Sequence, residues 1–142
     1  MRVTISQGEK MYTVKDVSKQ FNISPHTLRF YANKDLFPNI TRNKQNIRLF
    51  SDKDLEYVEM VLALRHTGMS LPSIKAYIDL CAIGDDSVMQ RSEIIANELR
   101  EAENKLTESI QQRDILRNKL AYYQEAIKKG EKFVIWGVNK QL

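Results

Sequence analysis

Residues 24–31 read Ser24-Pro25-His26-Thr27-Leu28-Arg29-Phe30-Tyr31, and this stretch opens a helix. The Ser24 hydroxyl can accept from one of the first-turn amides that lack an intrahelical partner. Pro25 at the first helical position gives up an N–H that would have gone unpaired. The helix is predicted to run to about Lys34, with Leu28 and Tyr31 turned inward. Just upstream, Thr13-Val14-Lys15-Asp16 has the form of a capping box, with Asp16 favoured at the positive helix end. The helix it opens carries Val14, Val17 and Phe21 on one face and meets a short turn at Asn22-Ile23. Two short helices joined by a tight turn inside a basic segment read as a helix-turn-helix.

Downstream, Leu36-Phe37-Pro38 leads into a polar, basic run to Asn46, and Ile47-Arg48-Leu49-Phe50 reads as a short strand. Phe37 to Phe50 is therefore expected to form a β-hairpin wing, with Pro38 confined to an edge. Ser51-Asp52-Lys53-Asp54 is a second capping box, opening a helix whose apolar positions are Leu55, Val58, Val61, Leu62 and Leu64. Gly68 closes it as a left-handed cap. Ser70 starts a fourth helix carrying Leu71, Ile74, Ile78 and Cys81, and Gly84 ends it.

From about Asp86 to Lys129 there is neither proline nor glycine, and about 44 helical residues would span on the order of 65 Å. Steps of four and three residues pick out Ile95, Leu99, Ala102, Leu106, Ser109, Arg113, Leu116, Leu120, Tyr123 and Ile127. Apart from Ser109 and Arg113 these are apolar, as a coiled-coil seam requires. So small a head cannot cover so long a stripe, and the simplest partner is the same stripe on a second copy. The expected architecture is mainly α. It comprises an N-terminal extension (1–10), a winged helix-turn-helix domain with a helix pair (11–84), a dimerisation helix (85–129) and a C-terminal tail (130–142). The tail holds Phe133, Val134, Ile135 and Trp136, which are expected to pack back on the dimer or line a pocket.

The net charge of +4 is unevenly placed. Residues 1–50 carry Arg2, Lys10, Lys15, Lys19, Arg29, Lys34, Arg42, Lys44 and Arg48 against Glu9, Asp16 and Asp35, while the remainder is slightly acidic. A positive end beside a near-neutral body points to a local polyanion site. No apolar run is long enough to span a bilayer, and residues 1–10 lack the apolar stretch of a signal peptide, so a cytoplasmic location is expected. The one cysteine rules out an internal disulfide framework and a cysteine-cluster zinc site. His26 and His66 lack metal-ligand spacing, and no phosphate-cradling glycine loop or paired carboxylate signature is present. An enzyme, a metal and a cofactor are accordingly not expected.

Taken together, these segments resemble the mercury-resistance-regulator (MerR) family from Met11 to about Lys129. The resemblance is carried by Tyr12-Thr13-Val14 with Val17-Ser18-Lys19, by residues 24–31, by Ile47 to Phe50, and by Leu64-Arg65, Gly68-Met69-Ser70-Leu71 and Ile74. It implies a homodimer joined through antiparallel long helices and a pseudo-palindromic promoter site with an overlong spacer. It further implies activation by bending and untwisting that spacer so that RNA polymerase engages both promoter elements, a use of sequence-dependent deformation energy. Arg29 and Tyr31 match family positions that contact DNA.

A recognition helix enters the major groove N-terminus first, which places His26 and Thr27 to reach base edges or nearby phosphates. Ser24 and Thr13, at helix starts, suit phosphate contacts. Arg42, Lys44, Asn46 and Arg48 in the wing would hold flanking phosphates. The competing readings are a plain surface histidine for His26, a core residue for Tyr31, and intrachain ion pairs to Asp52 or Asp54 for Arg29 and Arg48.

The trigger is less legible. Gly84-Asp85-Asp86, Arg91 and Lys119-Leu120-Ala121-Tyr122-Tyr123 look like small family members without an effector domain, some of which answer electrophile stress. Those usually keep a cysteine in the third helix, where Ala63 stands here. Cys81 and Trp136 are the remaining effector candidates for a small molecule or stress signal. Two other classes compete: a ligand-independent, excisionase-like architectural DNA-bending protein, and a coiled-coil adaptor whose basic head binds an acidic protein.

Overall fold

The computed structural model describes residues 10–131; the expected extension and most of the tail, Trp136 included, lie outside them. The chain divides into two compact units, Met1–Ile95 and Ala96–Leu142.

In the first unit, α1 (Val14–Phe21) begins as its sequence requires. The Thr13 hydroxyl accepts from the Asp16 amide at 3.2 Å, and the Asp16 carboxylate accepts from the Thr13 amide at 3.0 Å. Asn22 ends the helix in the left-handed conformation, φ +53°. Two residues later Ser24 caps α2 (Pro25–Asn33) through the Thr27 amide at 3.0 Å.

The wing is shorter than expected. Its strands β1 (Thr41–Arg42) and β2 (Arg48–Leu49) pair antiparallel, Thr41 opposite Leu49 and Arg42 opposite Arg48. The turn between them is set by Asn43, whose side-chain oxygen accepts from the Gln45 and Ile47 amides, both at 2.9 Å. Asn46 completes it at φ +62°, a conformation asparagine tolerates because its short polar chain satisfies itself locally. Beyond the strands, Tyr12 and Phe50 exchange two backbone hydrogen bonds of 2.8 Å.

The capping box of Ser51 and Asp54 opens α3 (Asp52–His66), and Ser70 caps α4 (Leu71–Ile83). The corner between them turns on Gly68, φ +91°, and is held by Arg65 donating to the Met69 carbonyl at 3.0 Å. A short 3-10 turn, Asp85–Ser87, follows Gly84 and delays the long helix α5 to Val88–Lys128. The buried Ser87 hydroxyl explains the delay: it bonds the Leu80 carbonyl at 2.6 Å and the Gly84 carbonyl at 2.7 Å, and Arg91 donates to it at 2.9 Å. The first two turns of α5 therefore belong with the head, and Ile94 packs against the core.

That core is continuous through the head. Val17 of α1, Leu28 and Tyr31 of α2, Leu36, Phe37 and Phe50 around the wing, Leu55, Val58 and Val61 of α3, Met69, and Ile74 and Ile78 of α4 are all buried. Phe37 and Phe50 meet edge-on at 5.9 Å. Leu62 and Leu64 are half-buried at its border, and Cys81 is also half-buried.

The second unit consists, among the described residues, of the rest of α5 and its end. The expected seam is uncovered: Leu99 is 58% exposed, Leu116 64% and Ile127 73%, with Ala102, Leu106 and Leu120 also exposed and Tyr123 half-buried. Ile110, 40% exposed and four residues from Leu106, joins this stripe. No helix among the described residues is long and apolar enough to cross a membrane.

Phe50 is fully buried and anchors the end of the wing. Phe50→Ala should destabilise the head by about 3–5 kcal/mol, the usual cost of emptying an aromatic core site. Urea denaturation checks this, and a loss below about 1 kcal/mol would remove Phe50 from the core set.

Candidate nucleic-acid interface

Because Tyr12 is bridged to Phe50, the start of α1 and the wing stand side by side. Between them opens a cleft of about 470 Å³ lined by Thr13, Val14, Lys15, Arg29, Arg42, Asn46, Ile47 and Arg48. Five of the sequence-predicted residues, Thr13, Arg29, Arg42, Asn46 and Arg48, thus come together from three separate segments. The positive end of α1 is part of the lining; with the Asp16 amide capped by Thr13, the amides of Val14 and Lys15 are the open donors there.

The guanidinium groups are placed rather than loose. Arg42 donates to the Asn46 carbonyl at 2.8 Å, and Arg48 donates to the Asn33 side-chain oxygen on α2. Partial burial, together with the positive charges of Arg42 and Arg29, holds the Arg48 pKa below its ordinary value. Burial is the larger cause and the two neighbouring guanidinium groups add to it, and an anion entering the cleft would offset their mutual repulsion.

Among the described residues Arg29, Arg42 and Arg48 form no ion pair, although Asp35 and Asp79 line a neighbouring pocket with Arg42 and Arg48. Asp52 accepts a hydrogen bond from the Tyr12 hydroxyl at 2.9 Å, which raises the tyrosine pKa, and Asp54 is occupied capping Ser51. The ion pairs among the described residues are Lys75–Asp79, Arg113–Asp114 and Lys129–Glu125. The ion-pair reading of Arg29 and Arg48 finds no support.

A second open cleft, about 490 Å³, lies on the other side of α1, lined by Lys15, Ser18, Lys19, Asn22, Ile23 and Ser24. Lys15 borders both clefts. It and Lys19, four residues apart on the outer face of α1, are missing from the sequence-predicted set, although their spacing alone puts them on one face. Asn33, which holds Arg48, was also not legible, since that contact spans 15 residues.

His26 stands exposed on the first turn of α2, and Arg29, Phe30 and Asn33 continue the same outward face. The hydroxyl of Ser24 is engaged with Thr27 through both its amide and its Oγ1, so Ser24 serves first as a cap. Lys44 is exposed at the wing turn, outside either cleft. Tyr31 is only 8% exposed and belongs to the core; its ring is not part of the outward face. Ala63 is exposed on α3, and Cys81 is a free, half-buried thiol. Among the described residues, no group of three or more histidines, cysteines or carboxylates could hold a metal ion.

The chain is similar to known proteins over most of its length. Residues 12–81 match the family described as MerR HTH family regulatory protein. An uncharacterised HTH-type transcriptional regulator of Haemophilus influenzae is 36% identical over 115 residues, covering 81% of this chain and 85% of the relative. The crystal structure of HiNmlR, a MerR family regulator lacking the sensor domain and bound to promoter DNA, superposes with a TM-score of 0.69. It is 35% identical and is covered over 97% of its length, with 86% of this chain matched. A MerR family transcriptional regulator from Bacillus thuringiensis superposes with a TM-score of 0.67 at 28% identity, over 80% of this chain and all of the other.

If Arg29, Arg42 and Arg48 bind duplex phosphates, each contact removed should flatten the dependence of log affinity on log salt by about 0.9, hence by about 1.8 in a symmetric dimer. Fluorescence anisotropy of Arg48→Ala across a salt series measures this. An unchanged slope would take Arg48 out of the interface.

Proposed function

The chain belongs to the MerR family of helix-turn-helix transcription regulators, and from that premise we propose that it binds promoter DNA as a symmetric dimer. The observation that carries the reading is the cleft in which Arg29, Arg42 and Arg48 meet the start of α1 with no ion pair among the described residues, beside the exposed first turn of α2. A cationic cleft next to a helix N-terminus is suited to backbone phosphate. The side chains of His26 and Thr27 would then approach base edges while the wing holds the flanking strand, Lys44 at its tip and Arg42, Asn46 and Arg48 at its base.

Dimerisation is supported by the uncovered stripe of α5, and the antiparallel arrangement by its charges. Residues 88–108 carry Glu93, Glu98, Glu101, Glu103 and Glu108 against Arg91, Arg100 and Lys105. Residues 109–128 carry Arg113, Arg117, Lys119 and Lys128 against Asp114 and Glu125. Antiparallel pairing lays the acidic half against the basic half, whereas parallel pairing would set like against like. Helix dipoles favour the same choice.

Such a dimer would grip two half-sites at a fixed spacing. Bending and untwisting the intervening base pairs costs energy that depends on their sequence, which supplies specificity at positions never touched. RNA polymerase would then be affected through the shared promoter rather than by direct contact. The protein is read as a cytoplasmic regulator without catalytic chemistry. A small molecule or stress signal is the proposed trigger, with Cys81 and Trp136 as the candidates to probe first.

Leu106→Glu, which buries a charge in the proposed seam, should give a protein that sediments as a single copy at micromolar concentration and loses most of its duplex affinity. A dimer of unchanged stability would refute the seam. Runoff transcription from the protein's own upstream region should respond to the wild-type protein. Binding and bending with no transcriptional effect would instead favour the architectural reading.

A further inference from the structure

Arg42 and Arg48 border two spaces of different character. One is the cleft they share with Arg29 and the start of α1. The other is a pocket of about 460 Å³ in which the same two side chains meet Asp35, Lys75 and Asp79. A guanidinium on a long stem can turn to either space, and a carboxylate attracts it more strongly than a neutral acceptor does. Asp79 already accepts from Lys75, whereas Asp35 forms no ion pair among the described residues. An arginine drawn to Asp35 would spend its charge in the pocket and withdraw it from the cleft.

The acceptor that Arg48 does use is Asn33. This is the last residue of α2, exposed on the outward face that carries His26 and Arg29, and its side-chain oxygen accepts from the Arg48 guanidinium across 15 residues. The bond joins β2 of the wing to α2. An amide oxygen has no net charge, so it fixes a guanidinium without neutralising it. The bond takes one donor of the fork, and the others stay open to the paired oxygens of a phosphate. A carboxylate in the same place would hold the arginine and cancel its charge; an apolar side chain would not hold it.

We propose that Asn33 is a positioning residue for DNA binding. Its neutral amide keeps Arg48 charged and turned to the cleft, and keeps it from pairing with Asp35. The proposal rests on the reading of the cleft as a phosphate site. It adds a residue that acts through Arg48 without touching the duplex.

Asn33 is an exposed helical position that alanine suits, so Asn33→Ala should melt with the wild type. Fluorescence anisotropy with a duplex from the protein's own upstream region should show binding weakened on the order of tenfold, the scale of re-ordering one arginine in each copy. The salt dependence should flatten toward that of Arg48→Ala. In an Arg48→Ala chain the same substitution should cost nothing further. In an Asp35→Asn chain it should cost severalfold less than in the wild type; asparagine accepts the left-handed conformation of Asp35, φ +59°, so that chain keeps its turn.

Losses from Asn33→Ala and Arg48→Ala that multiply would show that Asn33 acts on the duplex by itself. An unchanged salt slope for Asn33→Ala, or an undiminished loss in the Asp35→Asn chain, would show that no carboxylate captures Arg48. Each of these overturns the positioning role and leaves DNA binding standing. An Arg48→Ala slope equal to that of the wild type overturns the phosphate reading of the cleft, and the role of Asn33 with it.

Discussion

Two backbone hydrogen bonds of 2.8 Å between Tyr12 and Phe50 tie the residue that enters α1 to the residue that leaves the wing. The proposed binding face follows from them. They bring the positive end of α1 within one cleft of Arg42 and Arg48, and the buried Phe50 ring, edge-on to Phe37, keeps the hairpin from pivoting on its two-residue strands. Hairpins this short are not stable alone; this one is held by what its base is tied to.

The second constraint is how the head uses its acids. Asp16 and Asp54 close capping boxes and Asp52 takes the Tyr12 hydroxyl. Asp16 and Asp54 bond within three residues and Asp52 reaches back across 40, each at or near a helix start, where the dipole favours negative charge. The guanidinium groups of α2 and the wing are thereby left to one another and to whatever anion arrives. The arrangement has a cost: Asp54 is buried, and its Oδ1 has no hydrogen-bond partner among the described residues. Its other oxygen takes two bonds from Ser51 at 2.8 and 3.0 Å, which offset part of that desolvation.

The long helix answers a different problem. A stripe of aliphatic groups exposed to water along about 48 Å of helix is unfavourable in isolation, and in the proposed dimer charge segregation along the same helix restricts how a second copy would cover it. The hydroxyl of Ser87 and the side chain of Arg91 fix the first turns of that helix to the head with short bonds to Leu80, Gly84 and each other.

How much was legible from residues alone divides along the range of the interactions involved. The caps at Thr13, Ser24, Ser51 and Ser70, the corner at Gly68 and the stripe from Ile95 to Ile127 rest on relations within a few positions, and the sequence by itself determined them. What joins distant positions was decided only by the tertiary structure. The convergence of Arg29 with Arg42 and Arg48, the hold of Asn33 on Arg48, and the inclusion of Lys15 in both clefts depend on how α2, the wing and α1 pack. Tyr31 shows the same limit: spacing from Leu28 turned it inward while the family resemblance matched it to a DNA-contacting position, and packing within the continuous head core buries it. Burial of a side chain is a property of what the rest of the chain places over it, and no local pattern carries that information.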